Sequence, residues 1–373
     1  MDFRKLAEYL DTLPEAGVPS CDMVIYQDHK PIFRHMAGFR DEEHTQPLRG
    51  DETYCLYSCS KLVTSCAGLQ LVEKGLLRLD DPVSLYLPAY EKLTVRSEKG
   101  EVPAKNTMTI RHLFSMQSGL NYELKAPVIL DLLERTKGYA TTREIADALA
   151  AQPLEFEPGT DFLYSLSHDV LGAVVEVVSR KSFGDYLKEN IFDPLGLGTI
   201  GFRMKAPDRQ CAQYRCREED GRIVPITKDV ADHRLSERHE SGGAGLISDI
   251  RDYITFADAM ACGGVGEQGA AILKPETIQI WSANQLVGKA RKSFDEWNRQ
   301  GYSYALGVRT RVDLSKGGSG AIGEFGWDGA AGSWTMVDPV LHLSAFYAMH
   351  VKNFGYSYDV IHPTLRKMIY EGL

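Results

Sequence analysis

The amino-acid sequence predicts an α+β fold, an α/β sandwich in which strands from both ends of the chain form one antiparallel sheet flanked by helices. Alternating apolar residues mark strands near both ends, at 23–26, 32–36, 302–310, 333–337 and 341–349. Between these groups, residues 109–300 carry apolar positions mostly at helical spacing. Because neither terminal piece can bury a sheet face alone, we expect the two pieces to share a sheet.

The chain shows no internal repeat and no low-complexity linker. We therefore expect one structural unit over residues 1–373. Within it, a sheet subdomain comprises 1–57 plus 300–373, and a mainly helical subdomain comprises 58–299.

Local signals predict the individual elements in order. The first helix, over 2–13, is predicted by apolar residues at helical spacing ahead of Pro14: Phe3, Leu6, Ala7, Leu10 and Leu13. Thr109 can cap a helix at 110–114, and Asp338-Pro339 predicts a turn between the last two strands. Further helices are expected at 58–74, 79–88, 127–137, 142–151, 168–180, 183–191, 248–261, 275–283 and 359–370. Residues 205–240 are charged and aperiodic, which predicts a surface excursion or lid.

Composition narrows the classes of partner. The chain has 42 Lys and Arg against 51 Asp and Glu, a formal charge of -9, so neither nucleic acid nor an anionic membrane is expected as a partner. The longest uncharged apolar run, 62–72, is far shorter than the roughly 18 residues of a bilayer span. The charged residues at 1–6 do not form a signal peptide. With seven cysteines and no C-x-x-C pair, we expect a cytoplasmic protein without disulfides or zinc.

Several common functional motifs are missing or lack their context. The sequence contains no G-x-S-x-G and no H-E-x-x-H. Residues 264–269 match G-x-G-x-x-G, but they follow a helix rather than a strand, so we interpret them as a helix-terminating loop. The ten histidines show no ligand spacing, and His233 and His239 are expected at the surface. We therefore expect neither a metal nor an organic cofactor.

Ser58 and Lys61 form the motif with the clearest chemistry. Three residues apart at the start of an apolar helix, they share one face, so the hydroxyl and the amine can meet. Burial would lower the pKa of the lysine and leave a base beside a nucleophile. An isolated S-x-x-K is more often an amphipathic helix with one snorkelling lysine, so companions are needed.

Two other stretches supply candidate companions. Tyr164, held near an ammonium, could ionise more easily or relay a proton, although a core tyrosine would fit the segment equally well. Residues 325–332 form a small-residue run that enters a strand, and its glycines would let backbone N–H groups approach a ligand. A simple bulge with a packed tryptophan is the alternative for this run.

Taken together, these motifs resemble the serine β-lactamase and penicillin-binding-protein superfamily, in particular class C β-lactamases and family VIII carboxylesterases. Weaker similarities occur in the family's order at 79–83, 109–113, 156–160, 193–197 and 241–246. The resemblance implies a β-lactamase/transpeptidase-like fold. It also implies that Ser58 is acylated, that Lys61 and Tyr164 move its proton, and that the backbone N–H groups of Ser58 and Ala330 form the oxyanion hole.

The sequence departs from the family where substrate would bind. Leu166 replaces the asparagine that follows the tyrosine, and Trp327-Asp328-Gly329 replaces K-T-G or H-x-G. Leu166, Trp327, Asp328 and Gly329 are therefore the expected substrate-binding residues. Without the side-chain amide of the asparagine and the positive charge of the lysine or histidine, a β-lactam or D-Ala-D-Ala substrate is less expected. An Asp328 side chain that faces inward would also add negative charge to the site.

We accordingly expect a serine hydrolase that cleaves a small carboxylic ester through an acyl-enzyme on Ser58. Three alternatives remain open on the sequence. The first is amide chemistry, as in a β-lactamase, D,D-peptidase or D-amino-acid amidase. The second is acyl transfer to an alcohol. The third is a non-catalytic binding module with the same fold, which would have no need for Ser58, Lys61 and Tyr164 together.

Overall fold

The computed structural model describes residues 1–226, 234–297, 299–316 and 318–373. Its helices are α1 Arg4–Thr12, α2 Ser60–Glu73, α3 Ile110–Phe114, α4 Pro127–Arg135, α5 Thr142–Leu149, α6 Ser167–Ser179, α7 Phe183–Leu187, α8 Ile250–Ala261, α9 Pro275–Ser282, α10 Gly288–Asp295 and α11 His362–Gly372. Its strands are β1 Ser20–Gln27, β2 Lys30–Gly38, β3 Thr53–Cys55, β4 Thr94–Ser97, β5 Gly100–Pro103, β6 Tyr214–Cys216, β7 Ile223–Pro225, β8 Ile247–Asp249, β9 Tyr302–Tyr304, β10 Arg309–Arg311, β11 Phe325–Asp328, β12 Trp334–Asp338, β13 Leu343–Met349 and β14 Val351–Lys352.

A seven-stranded antiparallel sheet joins the two ends of the chain. Its strand order is β2-β1-β13-β12-β11-β10-β9. The junction is the pairing of β1 with β13, in which Val24 lies opposite Phe346. The predicted α+β fold with a sheet shared by the terminal strands is therefore confirmed, whereas the division into two subdomains stays a prediction.

Both faces of this sheet are covered by helices. On β1, Met23 and Ile25 pack with Leu10 of α1 and Leu365 of α11 on one face. Val24 faces the opposite side and joins the larger core built by the helical middle of the chain. Because successive side chains on a strand point to opposite faces and both faces are covered, β1 is buried continuously from Ser20 to Ile25.

Helix α2 runs through the centre of the larger core. Every residue from Ser60 to Leu71 is buried. A helix that is apolar all round is one with packing partners on every side. It packs on α6 and on β11, so Lys61 near its N-terminus is enclosed by protein. No helix within the described residues is both long enough and apolar enough to cross a bilayer.

Several predicted elements differ in extent. The strand expected at 302–310 is two strands, β9 and β10, which form a hairpin with Arg309 opposite Tyr304. Gly307 makes the turn between them with φ +91. The break between the strands could not be seen in the sequence, because the buried Ala305 and Leu306 continue the apolar pattern through the turn. The helix expected at 79–88 consists of two 3₁₀ turns, Val83–Leu85 and Pro88–Glu91. The β4–β5 hairpin and α10 were not predicted.

The prediction that residues 205–240 form an irregular surface excursion or lid is partly wrong. Strands β6 and β7 lie within it, and β6 also pairs with β14 to form a three-stranded sheet. Tyr214 of β6 is buried against the terminal core, which anchors the segment. Residues 227–233 of the excursion lie outside the described residues.

Candidate active site

Ser58 lies where the chain enters α2, in the 3₁₀ turn Tyr57–Cys59. Tyr57, directly before it, has φ +45, a backbone conformation that costs a residue other than glycine roughly 1–3 kcal/mol. Tyr57 is held there because Gln213 donates a hydrogen bond to its phenol oxygen and Lys352 lies 5.3 Å from its ring. These contacts hold Tyr57 in the conformation that positions Ser58, a residue that is 7% exposed.

Lys61 is fully buried beside Ser58. Its Nζ lies 3.1 Å from Oγ of Ser58 and donates a 2.7 Å hydrogen bond to the carbonyl of Gly243. Burial lowers the pKa of Lys61 from 10.5 to about 7, although Asp169 nearby opposes the shift. A large fraction of the amine is therefore neutral near pH 7, as a proton acceptor requires.

The loop before β8 packs closely against α6 and Lys61. A Cβ atom on Gly243 would lie 2.5 Å from Oδ2 of Asp169 and 3.5 Å from Nζ of Lys61, so this position has no room for a side chain. Asp169 accepts a 2.6 Å hydrogen bond from Ser241 and lies 3.5 Å from His239. The prediction that His239 lies at the surface is wrong, since it is 2% exposed and pairs with Asp169. His233 lies outside the described residues.

Tyr164 lies over Lys61 and faces the same opening. Its ring centre is 4.5 Å from Nζ of Lys61, and its Oη accepts a 2.9 Å hydrogen bond from the indole of Trp327. Burial raises the pKa of Tyr164 well above its ordinary value, and the smaller opposing effects are its hydrogen bonds with Ser58 and Trp327. Of the two roles expected for Tyr164, easier ionisation is therefore wrong, because burial outweighs the hydrogen bonds that favour the phenolate, and proton relay stays a prediction. Tyr164 is a neutral phenol that can donate a proton.

A second tyrosine, Tyr122, completes this arrangement. Its ring stacks on Tyr164 with centroids 5.6 Å apart, and Nζ of Lys61 lies 5.6 Å from its centre. Burial raises the pKa of Tyr122, and a hydrogen bond with Ser58 opposes the shift. Tyr122 was not predicted as a site residue, because it belongs to no motif and lies 42 positions before Tyr164.

The turn after β11 lies against the residue that precedes Tyr57. A Cβ on Gly329 would be 2.5 Å from the carbonyl oxygen of Leu56, so only glycine permits the approach. The turn's own hydrogen bonds run from Gly329 N–H to Ser333 and from Gly332 N–H to Gly329, and neither uses the N–H of Ala330. Ser58 N–H lies in the first turn of a helical segment, where amides have no intrahelical acceptor. Both amides are thus candidates for the predicted oxyanion hole.

Asp328 does not present a free charge to the opening. Its carboxylate contacts Arg299 at 2.6 Å and Arg309 at 3.0 Å. Burial opposes its ionisation, but the two guanidinium groups outweigh burial and hold its pKa well below the usual range. The expectation of added negative charge is wrong, because Arg299 and Arg309 neutralise it. The run at 325–332 contains β11 and the turn after it, and it leads into a strand as predicted, since β12 begins at Trp334.

Leu166, expected to contact substrate, is buried in the main core instead. It is 2% exposed, and its backbone N–H bonds to the carbonyl of Asn121. Directly before α6, its side chain packs with the helices rather than lining the opening. This part of the predicted substrate site is therefore wrong.

An open cleft of ≈ 250 Å³ exposes the Ser58 hydroxyl. Its walls include the predicted Tyr164, Trp327, Asp328, Gly329 and Ala330, together with three residues that sequence reasoning missed, Trp297, Arg299 and Tyr358. Trp327 contacts both Tyr164 and Trp297, with ring centroids 5.5 Å and 6.2 Å apart. One wall of the cleft is therefore aromatic, and Arg299, the cation among the described residues that line it, is paired with Asp328.

A group of metal-binding side chains exists elsewhere in the described residues. His29, Asp258 and Cys262 place one ligand atom each within 4.8 Å of one another. His29 Nδ1 lies 2.7 Å from the Asp258 carboxylate, so a hydrogen bond accounts for the contact, and none of the three lines the cleft. The sequence could not suggest this group, because His29 lies 229 positions before Asp258 and 233 before Cys262.

Comparison with known proteins identifies relatives of this arrangement. The family model described as Beta-lactamase matches residues 4–359. Esterase EstB of Burkholderia gladioli is 28% identical over 385 residues, covering 96% of this chain and 93% of the esterase. Acyltransferase calJ of Penicillium decumbens is 28% identical over 363 residues, covering 87% of this chain and 82% of that protein.

A solved structure shares the fold. That of EstCE1, described as a hydrolase with promiscuous acyltransferase activity, has a TM-score of 0.82 and 24% sequence identity. The similarity covers 99% of this chain and 98% of that one, so the same architecture extends over the whole molecule.

Proposed function

The chain belongs to the beta-lactamase family, and from that premise we propose that it cleaves small carboxylic esters through an acyl-enzyme on Ser58. The family match confirms the resemblance that the motifs indicate. Its esterase and acyltransferase relatives support a serine hydrolase or acyltransferase activity. The observation that carries the finer proposal is the 3.1 Å contact between Ser58 Oγ and a buried Lys61 whose pKa is about 7.

Acylation begins with attack of Ser58 Oγ on the ester carbonyl. The hydroxyl proton passes to neutral Lys61, whose Nζ is oriented by its hydrogen bond to Gly243. Positioned proton transfer of this kind typically contributes roughly a hundred- to ten-thousandfold in rate. The carbonyl oxygen, now negative, accepts hydrogen bonds from the N–H groups of Ser58 and Ala330, and each such donor is worth about 3 kcal/mol of barrier.

Collapse of the tetrahedral intermediate expels the alcohol. Tyr164 is suited to protonate it, since its Oη accepts from Trp327 and keeps its own proton available for donation. Proton transfer from Lys61 to Tyr164 restores the phenol. A water molecule then attacks the acyl-enzyme, gives its proton to the same pair, and releases the carboxylic acid and free Ser58.

The walls of the cleft favour a neutral ester over a β-lactam. Trp327 occupies the position of the family's lysine or histidine, and Arg299 is engaged by Asp328 at 2.6 Å. A substrate carboxylate at this point would have to compete with Asp328 for its cation. An apolar acyl or alcohol group can instead pack on the indole rings of Trp327 and Trp297.

Acyl transfer is the second candidate function. The relative calJ is an acyltransferase, and the cleft is open enough for an alcohol to replace water after acylation. Adding a primary alcohol during turnover distinguishes the two. Transfer predicts a new ester product and faster release of the first leaving group, whereas hydrolysis predicts the free acid alone.

The proposal is tested with p-nitrophenyl acetate and butyrate beside a chromogenic cephalosporin. Ester turnover that disappears in Ser58→Ala, with a fluorophosphonate adduct mapped to Ser58, is the expected result. Ser60→Ala is the matched control, because Ser60 Oγ accepts a hydrogen bond from Leu246 N–H instead of facing the cleft. Cephalosporin turnover with inert esters would establish the lactamase alternative. Absence of both activities and of the adduct would favour a binding module.

A further inference from the structure

A second, larger cavity of ≈ 760 Å³ adjoins the Ser58 cleft. It lies between the β9–β10 hairpin and α11, and it shares Trp297, Arg299 and Tyr358 with the cleft. A molecule whose ester carbonyl lies at Ser58 can therefore extend past Arg299 into this cavity. Its volume is within the range of pockets that hold small-molecule ligands.

The lining of this cavity is strongly basic. Six cationic side chains line it, Arg299, Arg309, Arg311, Lys316, Arg366 and Lys367, against two carboxylates, Asp359 and Glu371. Two buried carboxylates behind the lining, Asp328 and Glu324, pair with its arginines, which still leaves two more cations than anions. The whole chain carries a charge of -9, so this excess is a local feature and concentrates anions at one site.

Three of the arginines converge on a single aromatic ring. The guanidinium groups of Arg366, Arg311 and Arg309 lie 4.8, 5.1 and 6.0 Å from the centre of Tyr302. Tyr302 in turn donates a hydrogen bond to Glu324, which lies within 4 Å of both Arg309 and Arg366. Holding three like charges together in a buried site is unfavourable unless further negative charge is available to them.

Donor capacity also remains in this cluster. Among the described residues, the Nε atoms of Arg299 and Arg309 are buried without a hydrogen-bond acceptor. Guanidinium groups match the geometry of phosphate and carboxylate oxygens through paired N–H donors. The excess of two cations matches a phosphoryl group, which carries about −1.5 to −2 charge near pH 7, better than a single carboxylate.

We infer that this cavity binds a phosphoryl group carried by the substrate. The inference rests on the proposed esterase function for the link to Ser58, whereas the anion site itself is a separate property. The ester lies against the aromatic wall of the cleft, Arg299 lies at the junction, and the phosphoryl oxygens meet Arg309, Arg311 and Arg366. The exposed lysines at 316 and 367 attract the anion at the rim.

Binding is measured directly by calorimetry with phenyl phosphate, inorganic phosphate and benzoate. We expect saturable binding of phenyl phosphate, weaker binding of benzoate, and a salt dependence typical of ion pairing. The variant Lys316→Glu/Lys367→Glu should weaken phenyl phosphate binding about tenfold or more, since a hydrogen bond to a charged group is worth roughly that factor. Lys92→Glu/Lys99→Glu is the matched control, with the same change of net charge at exposed lysines outside the cavity.

Turnover is compared on two esters that differ in one group, 4-(phosphonomethyl)phenyl butanoate and 4-ethylphenyl butanoate, with the released phenols separated by chromatography. A higher kcat/KM for the phosphonate ester than for the neutral ester supports the inference, provided that Lys316→Glu/Lys367→Glu loses this preference and Lys92→Glu/Lys99→Glu keeps it. Equal kcat/KM values without phenyl phosphate binding, benzoate binding as tight as phenyl phosphate, or equal losses in both double variants would overturn it.

The two proposals fail in different ways. If phenyl phosphate binds to the wild type and to Ser58→Ala but neither ester is cleaved, the esterase proposal and the substrate link are refuted while the anion site stands. If the neutral ester is cleaved and no anion binds, the esterase proposal stands and the cavity inference is refuted.

Discussion

The indole N–H of Trp327 donates a 2.9 Å hydrogen bond to the phenol oxygen of Tyr164. The residue that replaces the family's cation therefore contacts a proposed proton donor as well as forming a wall of the cleft. Because Oη accepts this hydrogen bond, the phenol hydrogen remains free to point at Ser58 or at a leaving group. Substitution at 327 should consequently change the chemistry as well as the choice of substrate.

Replacing Trp327 with phenylalanine removes this donor and keeps an aromatic wall. We expect kcat to fall about tenfold, the usual worth of one hydrogen bond, with little change in melting temperature. Trp297→Phe is the control, because Trp297 contacts the Tyr164 ring edge-on at 5.5 Å but is not its hydrogen-bond donor. Equal effects on kcat in the two variants would show that ring packing alone supports Tyr164.

The buried Lys61 predicts the acid limb of the pH–rate profile. Its pKa of about 7 means that protonation below this pH removes the base. We expect kcat/KM for a p-nitrophenyl ester to fall about tenfold per pH unit below that value. Lys61→Met should lose activity across the whole range. A wild-type rate independent of pH through this region would exclude Lys61 as the proton acceptor.

The same lysine predicts how stability depends on pH. Its pKa is about 7 in the folded chain against 10.5 ordinarily, so between these values the unfolded chain binds the extra proton. Raising the pH through this window therefore stabilises the fold, by about 1.4 kcal/mol per pH unit.

The variant Lys61→Met has no such group, so its advantage in unfolding free energy over the wild type should be largest below the window and disappear above it. Urea titrations at several pH values measure the difference. A constant difference between the two proteins would contradict burial of an ionisable amine.

Gly243 is predicted to be required for the position of Lys61. In Gly243→Ala the new methyl group would meet Oδ2 of Asp169 at 2.5 Å and crowd Nζ of Lys61. Displacing a catalytic base by about 1 Å can reduce the rate roughly a hundredfold. Gly198→Ala is the control, since a Cβ there meets nothing within 4 Å. Ester turnover and melting temperature of both variants are the measurements, and normal turnover in Gly243→Ala would contradict the packing.

Leu166→Asn tests the correction to the predicted substrate site. In the core, a buried amide without partners costs about 1–3 kcal/mol, so the variant should melt at a lower temperature and gain no cephalosporin turnover. Leu166→Met, which keeps the side chain apolar, should melt close to the wild type. An asparagine variant with unchanged stability and new activity on the cephalosporin would return residue 166 to the cleft wall.

Local sequence was sufficient for part of the site. Ser58 and Lys61 are three positions apart across the 3₁₀ turn that leads into α2, so their contact follows from helical spacing once a helical segment is predicted here. Tyr164 and Gly329 were found through motifs, and the structure brings them to the same cleft.

What the sequence could not supply depends on distant contacts. Arg299 approaches Asp328 because β9, β10 and β11 are neighbours, and no spacing rule indicates that pair. Leu166 lies two residues after Tyr164, where the chain turns into α6, and its direction depends on the backbone of that turn. Tyr122 reaches Ser58 from a loop of its own. The burial of Asp169 and His239 could not be predicted either, because they contact each other across 70 positions of sequence.

The pairing of β1 with β13 also determines when the catalytic groups can come together. The strand Ser20–Gln27 has no partner on one side until Leu343–Met349 has been synthesised. Contacts this distant in sequence close slowly, because the intervening chain must first be ordered. Until then β1 has an unpaired edge, and unpaired strand edges are prone to aggregation. A ribosome that stops after β10 would therefore release a chain that contains Ser58 and Lys61 but lacks the turn at Gly329 and Ala330 that their chemistry requires.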